Sequence, residues 1–253
     1  MRRAALIVAE TASGKNRRGP GVLLSVLALA AFAVLIALGT WQVQRLYWKE
    51  ALLAAIDERS HAEPLPLDEI LAMQAEGEPV EYRRTTVTGR FLNDREQFFF
   101  ATHKGYSGYY VYTPMERADG SIIFINRGFV GIDYKDPATR PESQPEGEVT
   151  VTGLARDALH EKPSWIVPEN EPAKNIFYWK DLDGFTKNAG LDLARVIDLY
   201  VDADDTPNPG GWPVGGVTII SLPNNHLQYA VTWYGLALAL AGVFAARFLR
   251  RQK

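Results

Sequence analysis

The 253-residue sequence predicts a membrane α-hairpin, made of two transmembrane helices, that carries an external mainly-β domain. Three observations predict it. Two apolar runs lie near the two ends, each about as long as a helix that crosses a bilayer. Charge is divided, with basic ends around an acidic middle. The middle holds a series of short segments rich in β-branched and aromatic residues, bounded by Gly, Pro, Asp or Asn. For that domain the expected architecture is an antiparallel, barrel-like sheet with short helices.

The first run, GVLLSVLALAAFAVLIALG at residues 21–39, has no charged residue. The second, YAVTWYGLALALAGVFAARF at residues 229–248, has none before Arg247. A cleaved signal peptide would place a short apolar core nearer the start and follow it with an Ala-x-Ala-like site. Here Leu38-Gly39-Thr40-Trp41 follows, so the first run is expected to stay as an anchor. Residues 1–39 carry five basic side chains against Glu10, and residues 227–253 carry four with no acid. Residues 40–226 carry 18 basic and 29 acidic ones. Because Lys and Arg close to a span stay on the cytoplasmic side, both termini are expected inside and the middle outside. The expected order is a cytoplasmic tail (1–20), a first span (21–39), an extracytoplasmic domain (40–226), a second span (227–247) and a cytoplasmic tail (248–253). The N-terminal tail, with Glu10, resembles a bacterial one more than a transit peptide, so a bacterial inner membrane is expected ahead of a mitochondrial one.

The chain has no cysteine. That removes disulfides, thiolate zinc and iron–sulfur sites and the usual copper-carrier chemistry. The acidic middle argues against nucleic acid as a partner, since phosphates would be repelled.

After the first span, TWQVQRLYWKEALLAAIDER (40–59) lacks Gly and Pro and spaces Trp41, Arg45, Trp48, Leu52 and Ile56 by three and four, one face of a helix. Trp41 and Trp48 suit the interfacial belt. Pro64 and Pro66 are expected to break that helix. Six or seven short strands are expected, in EYRRTTVTGRF, EQFFFATHK, SGYYVYTPMER, SIIFINRGFVG, EVTVTGLARDA and RVIDLYVDA, the third and fourth joined as a hairpin at Ala118-Asp119-Gly120. KDLDGFTKNAG suggests a short helix, and PNPGGWPVGG (207–216) a turn-rich loop leading back toward the membrane.

Hydrolase chemistry finds no support, because Gly105-Tyr106-Ser107-Gly108 is not a Gly-x-Ser-x-Gly elbow. Asp202, Asp204 and Asp205 lack the glycine and distal glutamate of a calcium loop and read as a solvated strand end. His61, His103 and His160 read as surface or loop residues. Asn126-Arg127-Gly128 sets a fixed positive charge in an apolar strand. One reading makes Arg127 an edge or lumen-facing partner for a carboxylate. The other makes it an anion or partner contact, with Gly128 and Gly89 as close-approach or bulge positions.

The second span opens with PNNHLQYAVTWYG, residues 223–235. A histidine at a membrane threshold invites a functional reading, since ionisable groups there are costly and often functional. At 100° per residue, Tyr229, Ala230, Trp233 and Ala237 fall within about 60° of His226. Imidazole, indole and small residues then share a face that another helix or a flat ring could approach. The residues alone leave two accounts: an axial ligand for haem iron with Tyr229 and Trp233 beside the ring and Arg45 meeting a propionate, or a helix cap made with Asn224 and Asn225.

Several motifs, in order along residues 38–233, resemble the surfeit locus protein 1 (Shy1-like) family. They are Leu38-Gly39-Thr40-Trp41-Gln42 with Arg45, Trp48 and Lys49; Gly89-Arg90-Phe91; Asn126-Arg127-Gly128-Phe129-Val130; Gly147, Val149, Val151 and Gly153; and Asn224-Asn225-His226-Leu227-Gln228-Tyr229-Ala230 with Thr232-Trp233. One departure is Gly131, where relatives often carry proline. The resemblance implies a non-enzymatic assembly factor for cytochrome c oxidase, a chaperone that binds haem a and aids its insertion into subunit I. Its implied partners are cytochrome c oxidase subunit I, the haem a synthesis machinery and the lipid bilayer. It also implies His226 as the iron ligand. With that ligand, Tyr229, Trp233, Trp41, Arg45, Trp48, Asn224, Asn225 and Gln228 are the expected haem or partner contacts, and no other metal site is expected. The alternative is a scaffold that holds oxidase subunits through the external sheet without touching haem.

Overall fold

The structure, a computed structural model, describes residues 19–218, 220 and 223–251. Nearly all of the N-terminal tail expected at 1–20 and the last two residues of the tail at 248–253 lie outside the described residues. Two compact units emerge: one from the residues up to Ala51 together with those from Pro223 on, the other Leu52–Leu222.

The first unit is a pair of helices. α1 (Gly19–His61) is unbroken over 43 residues, about 65 Å at 1.5 Å per residue, and its first half is the apolar run. α4 (His226–Arg251) is the second. Both are long and apolar enough to cross a membrane, as expected. The shielded positions of α1 include Ala28, Phe32, Leu35, Gly39, Gln42, Leu46 and Lys49, with Leu38 and Val43 beside them; on α4 they are His226, Ala230, Trp233, Ala237, Leu240 and Phe244. Both series step by alternating threes and fours, the seam along which antiparallel helices pack side by side. At its centre Gly39 gives room for an aromatic ring: a Cβ there would stand 2.7 Å from Tyr234 Cε1. The Tyr234 hydroxyl lies 3.1 Å from Thr40 Oγ1.

The second unit is the barrel-like sheet. Its strands are β1 (Leu65–Pro66), β2 (Arg84–Phe91), β3 (Gln97–His103), β4 (Tyr106–Glu116), β5 (Ile122–Gly131), β6 (Glu148–Asp157) and β7 (Val196–Ala203). They run in the order β1-β2-β6-β7-β5-β4-β3, and β2 also pairs with β4 through Arg90↔Glu116 and Phe91↔Met115. That pairing closes β2, β6, β7, β5 and β4 into a ring, with β1 and β3 as outer extensions. Most neighbours are antiparallel. β7 joins β5 in parallel, because the long connection after β6 returns the chain to the far side of β5.

Every residue of β5 except Gly131 is buried, which explains why SIIFINRGFV reads as continuous rather than alternating hydrophobicity. Ile123 and Ile125 join Leu199 and Val201 in one core, while Phe124 and Tyr200 join Phe177 and Phe185 in another. α3 (Leu182–Asn188) supplies Leu182 and Phe185 to the second core and is capped by Asp181, whose side chain accepts from the Gly184 N–H. The first core is covered by α2 (Leu67–Ala75), which the sequence reading passed over. Pro64 and Pro66 do end α1, but proline is tolerated just before a first turn, and Asp68 and Glu69 suit a helix N-terminus. Leu67 and Ile70 then pack inward.

A second difference concerns Asp202. It is 3% exposed rather than solvated. It accepts from Arg156 Nη1 at 2.6 Å, Asn126 Nδ2 at 2.9 Å and Thr218 Oγ1 at 2.8 Å. The cause is register: Asp202 sits opposite Asn126 of β5 and Leu154 of β6, inside the ladder rather than past its end. Burial pushes its carboxyl up, but Lys180, Arg156 and the hydrogen bonds outweigh burial and hold it below the usual carboxylate range.

Candidate functional site at the helix hairpin

His226 opens α4 and is half-buried. Its backbone N–H donates to Asn224 Oδ1 at 3.4 Å, and the first helical bond runs from the Tyr229 N–H to the Asn225 carbonyl at 3.2 Å. Asn224 and Asn225 thus bond the backbone at the helix start, which leaves the imidazole for other work. Its Nδ1 lies 2.7 Å from Gln42 Oε1 on α1. An amide oxygen only accepts, so Nδ1 carries the proton and donates it. The other ring nitrogen, Nε2, has no hydrogen-bond partner among the described residues. Gln42 is thus the residue that sequence reasoning underused. It stood inside the Thr-Trp-Gln motif, and only its seam position three residues after Gly39 could have marked it.

The other expected contacts fall into two groups. Trp233 shares the face of His226, as the wheel predicted, and lies half-shielded in the helix seam with Ala230 and Ala237, which are 2% and 1% exposed. The small-residue stripe is therefore occupied by the hairpin's own packing. Tyr229, at 54% exposure, and Gln228 remain open. On α1, Trp41 and Trp48 are also exposed, and the Arg45 guanidinium lies over both rings, 5.8 Å and 5.0 Å from their centroids. This Trp-Arg-Trp stripe lies beside the seam residues Gln42 and Leu46, one position round the helix. Each such cation–π contact is worth roughly 0.5–1 kcal/mol at an exposed site.

In the barrel unit, Arg127 is 1% exposed, its guanidinium over the Phe91 ring. Gly89 and Gly128 are both close-approach positions. A Cβ on Gly89 would stand 2.5 Å from the Glu116 carbonyl oxygen, and one on Gly128, which has φ +122°, would stand 2.0 Å from that of Val214. His61 and His160 are exposed and face Asp57 and Asp198. His103 is half-buried at the end of β3, its ring centroid 5.3 Å from that of Phe129.

A two-helix membrane-type anchor joined to a closed β-barrel, with one histidine at the start of the second helix bonded across to the first, defines a class of membrane-anchored barrel proteins. Within that class the chain belongs to the SURF1 family, whose pattern it matches over residues 29–238. It is 37% identical over 259 residues to surfeit locus protein 1 of Rattus norvegicus, covering 96% of this chain and 81% of that protein. To the Homo sapiens protein of the same name it is 36% identical over 90% of this chain and 77% of that one. A SURF1-like protein of Monosiga brevicollis is 34% identical over 98% of this chain and 94% of its own length.

Proposed function

We propose that the protein is a non-enzymatic assembly factor for cytochrome c oxidase that holds haem a transiently through His226 and passes it toward subunit I. Family membership supports the broad role. The observation that carries the haem reading is the His226–Gln42 bond. A histidine that ligates iron through one nitrogen is usually held by a hydrogen bond from the other, and Gln42 provides that hold within the hairpin. The site fits the group in two further respects. Tyr229, Trp41 and Trp48 offer exposed aromatic surface for a flat ring, and Arg45 offers a cation to its carboxylates. When bound, the haem would supply an iron centre whose fifth position an imidazole nitrogen can fill. The chain's part is to present Nε2 in one tautomer, shield one side of the ring from water and let go. A single ligand in a half-open site suits release better than storage.

The basic flanks of both spans support a topology with the termini on the cytoplasmic or matrix side and the barrel across the membrane from them. A bacterial inner membrane is the location we favour, with the haem a synthesis machinery as neighbour.

The test is to purify the protein from cells that make haem a and record its absorption spectrum beside that of His226→Ala. We expect the variant to lose the haem and its Soret band while still reaching the membrane. Unchanged haem content in the variant would sink the ligand assignment. Loss of haem with full retention of subunit I binding would separate the carrier role from the scaffolding one.

A further inference from the structure

Far from the histidine in sequence, the barrel unit buries two guanidinium groups beside a single carboxylate. Glu96, just before β3, is 4% exposed, and Arg140, in the turns after β5, is likewise 4% exposed. Arg140 occupies both oxygens of Glu96: Nη1 donates to Oε1 at 3.2 Å and Nη2 donates to Oε2. Its remaining donors reach Ser143 Oγ and the Tyr134 carbonyl, both at 3.0 Å. Arg140 is satisfied.

Arg127 is not. Its Nη2 donates to the Ser143 carbonyl at 2.7 Å and to Asn208 Oδ1 at 3.3 Å, and its guanidinium carbon lies 4.7 Å from the centre of the Phe91 ring. Its Nη1 comes only to 3.7 Å from Glu96 Oε1, an oxygen already taken. Both Nε and Nη1 are buried without an acceptor. Two cations therefore share one anion in the interior, and burial lowers Arg127 to about 10. Buried charges are normally paired, and a buried donor without a partner is the exception that asks for one.

A cavity of about 340 Å³ adjoins this side chain, between residues 149–152 of β6 and the loop after β7. Arg127 and Asn208 line it together with Phe91, Ile125, Pro145 and Pro209. The one carboxylate on its wall, Asp204, accepts from the Thr206 N–H at 3.1 Å and forms no ion pair with Arg127 among the described residues. The wall thus combines an under-partnered guanidinium with aromatic, aliphatic and proline surface. A carboxylate oxygen can accept from a free guanidinium N–H in a charge-assisted bond, and the apolar part of the wall suits a short hydrocarbon stem.

We propose that this cavity is a binding site for a small organic carboxylate, whose oxygens accept from Arg127 and whose stem lies against Phe91 and the prolines. The site is independent of the haem reading. It is tested on the full chain in detergent or nanodiscs, labelled with ¹⁵N at the arginine Nε, by titrating butyrate, with butyramide and inorganic phosphate as controls at matched ionic strength. We expect a saturable shift of one buried Nε–H resonance with butyrate, weaker with acetate, and none with butyramide. Arg127→Lys should remove that resonance, and a parallel rise in the barrel's unfolding midpoint with butyrate should weaken roughly tenfold or more in concentration dependence. If Arg127→Lys does not fold, the wild-type titration still decides. A flat response to butyrate, or an equal response to butyramide, overturns the proposal; a response to phosphate that exceeds butyrate overturns the choice of carboxylate.

Discussion

Replacing Gln42 by leucine removes the acceptor of the His226 Nδ1 proton while keeping a side chain of similar bulk in the seam. The bond is 2.7 Å, shorter than the usual N–H···O distance, and it joins two half-buried side chains. A neutral hydrogen bond of this kind contributes about 0.5–1.5 kcal/mol, and its short length places it toward the upper end. At 1.4 kcal/mol per factor of ten, the upper half of that range weakens haem retention by about 5–12-fold, near the lower limit seen for groups that orient metal ligands. His226→Ala should instead abolish it. Gln42→Glu keeps an acceptor and adds charge, so the imidazole becomes a stronger donor and the iron potential falls; Gln42→Asn, one methylene short, should behave like leucine. The assay is haem content per protein together with a potentiometric titration of the Soret band and the iron–histidine stretching band in the Raman spectrum. If His226→Ala loses haem but all three Gln42 variants keep wild-type content, potential and stretching band, the orienting role is refuted and the ligand assignment stands. If His226→Ala keeps its haem, the whole haem reading fails instead.

The backbone approaches in the barrel give a graded pair. Gly128→Ala combines an unfavourable φ with a 2.0 Å contact to a backbone oxygen and should destabilise the barrel by about 3 kcal/mol or more. Gly89→Ala meets the Glu116 carbonyl and a flexible Met115 side chain and should cost about 1–3 kcal/mol; urea unfolding of the two variants would show the order, and a reversed order would count against the register described. Asp202 is held below its unfolded value of about 3.9, so its contribution is present above that pH and is lost as pH falls through the lower folded value. Asp202→Asn should therefore be less stable at neutral pH and lose less on acidification, measured as the barrel's melting temperature from pH 7 to pH 2. Gly39→Leu should drive the helices apart at Tyr234, reducing the yield of a disulfide engineered between Gln42→Cys and His226→Cys; an undiminished yield would contradict the seam.

Much of the fold was legible because it rests on local rules. The apolar runs, the proline break after α1, the Asp-Gly hairpin between β4 and β5 and the short helix at Leu182–Asn188 each depend on residues close in sequence. Other features escaped for physical reasons that no local pattern carries. α2 follows directly on a proline, so a stop signal concealed a start. Asp202 sat in an acidic cluster that looks solvated, and only the pairing of β7 with both β5 and β6 draws it inside. Arg127 is buried in its strand, yet the carboxylate nearest it, Glu96, is taken by Arg140, 44 residues from Glu96 in sequence. The helical wheel placed His226 and Trp233 on one face, while leaving open what that face would meet.

By itself, then, the sequence determined the hairpin of apolar helices, the strand-rich middle, the motif set of the family and the histidine at the start of α4. Hydrophobic periodicity and chain length impose these within a few turns of backbone. Tertiary structure alone decided the ring closure of β2 on β4, the shared carboxylate of two buried arginines and the bond from Gln42 to His226, 184 residues apart. Hydrogen bonds and ion pairs act over about 3 Å, and which groups come that close is settled only when the helices and strands have packed.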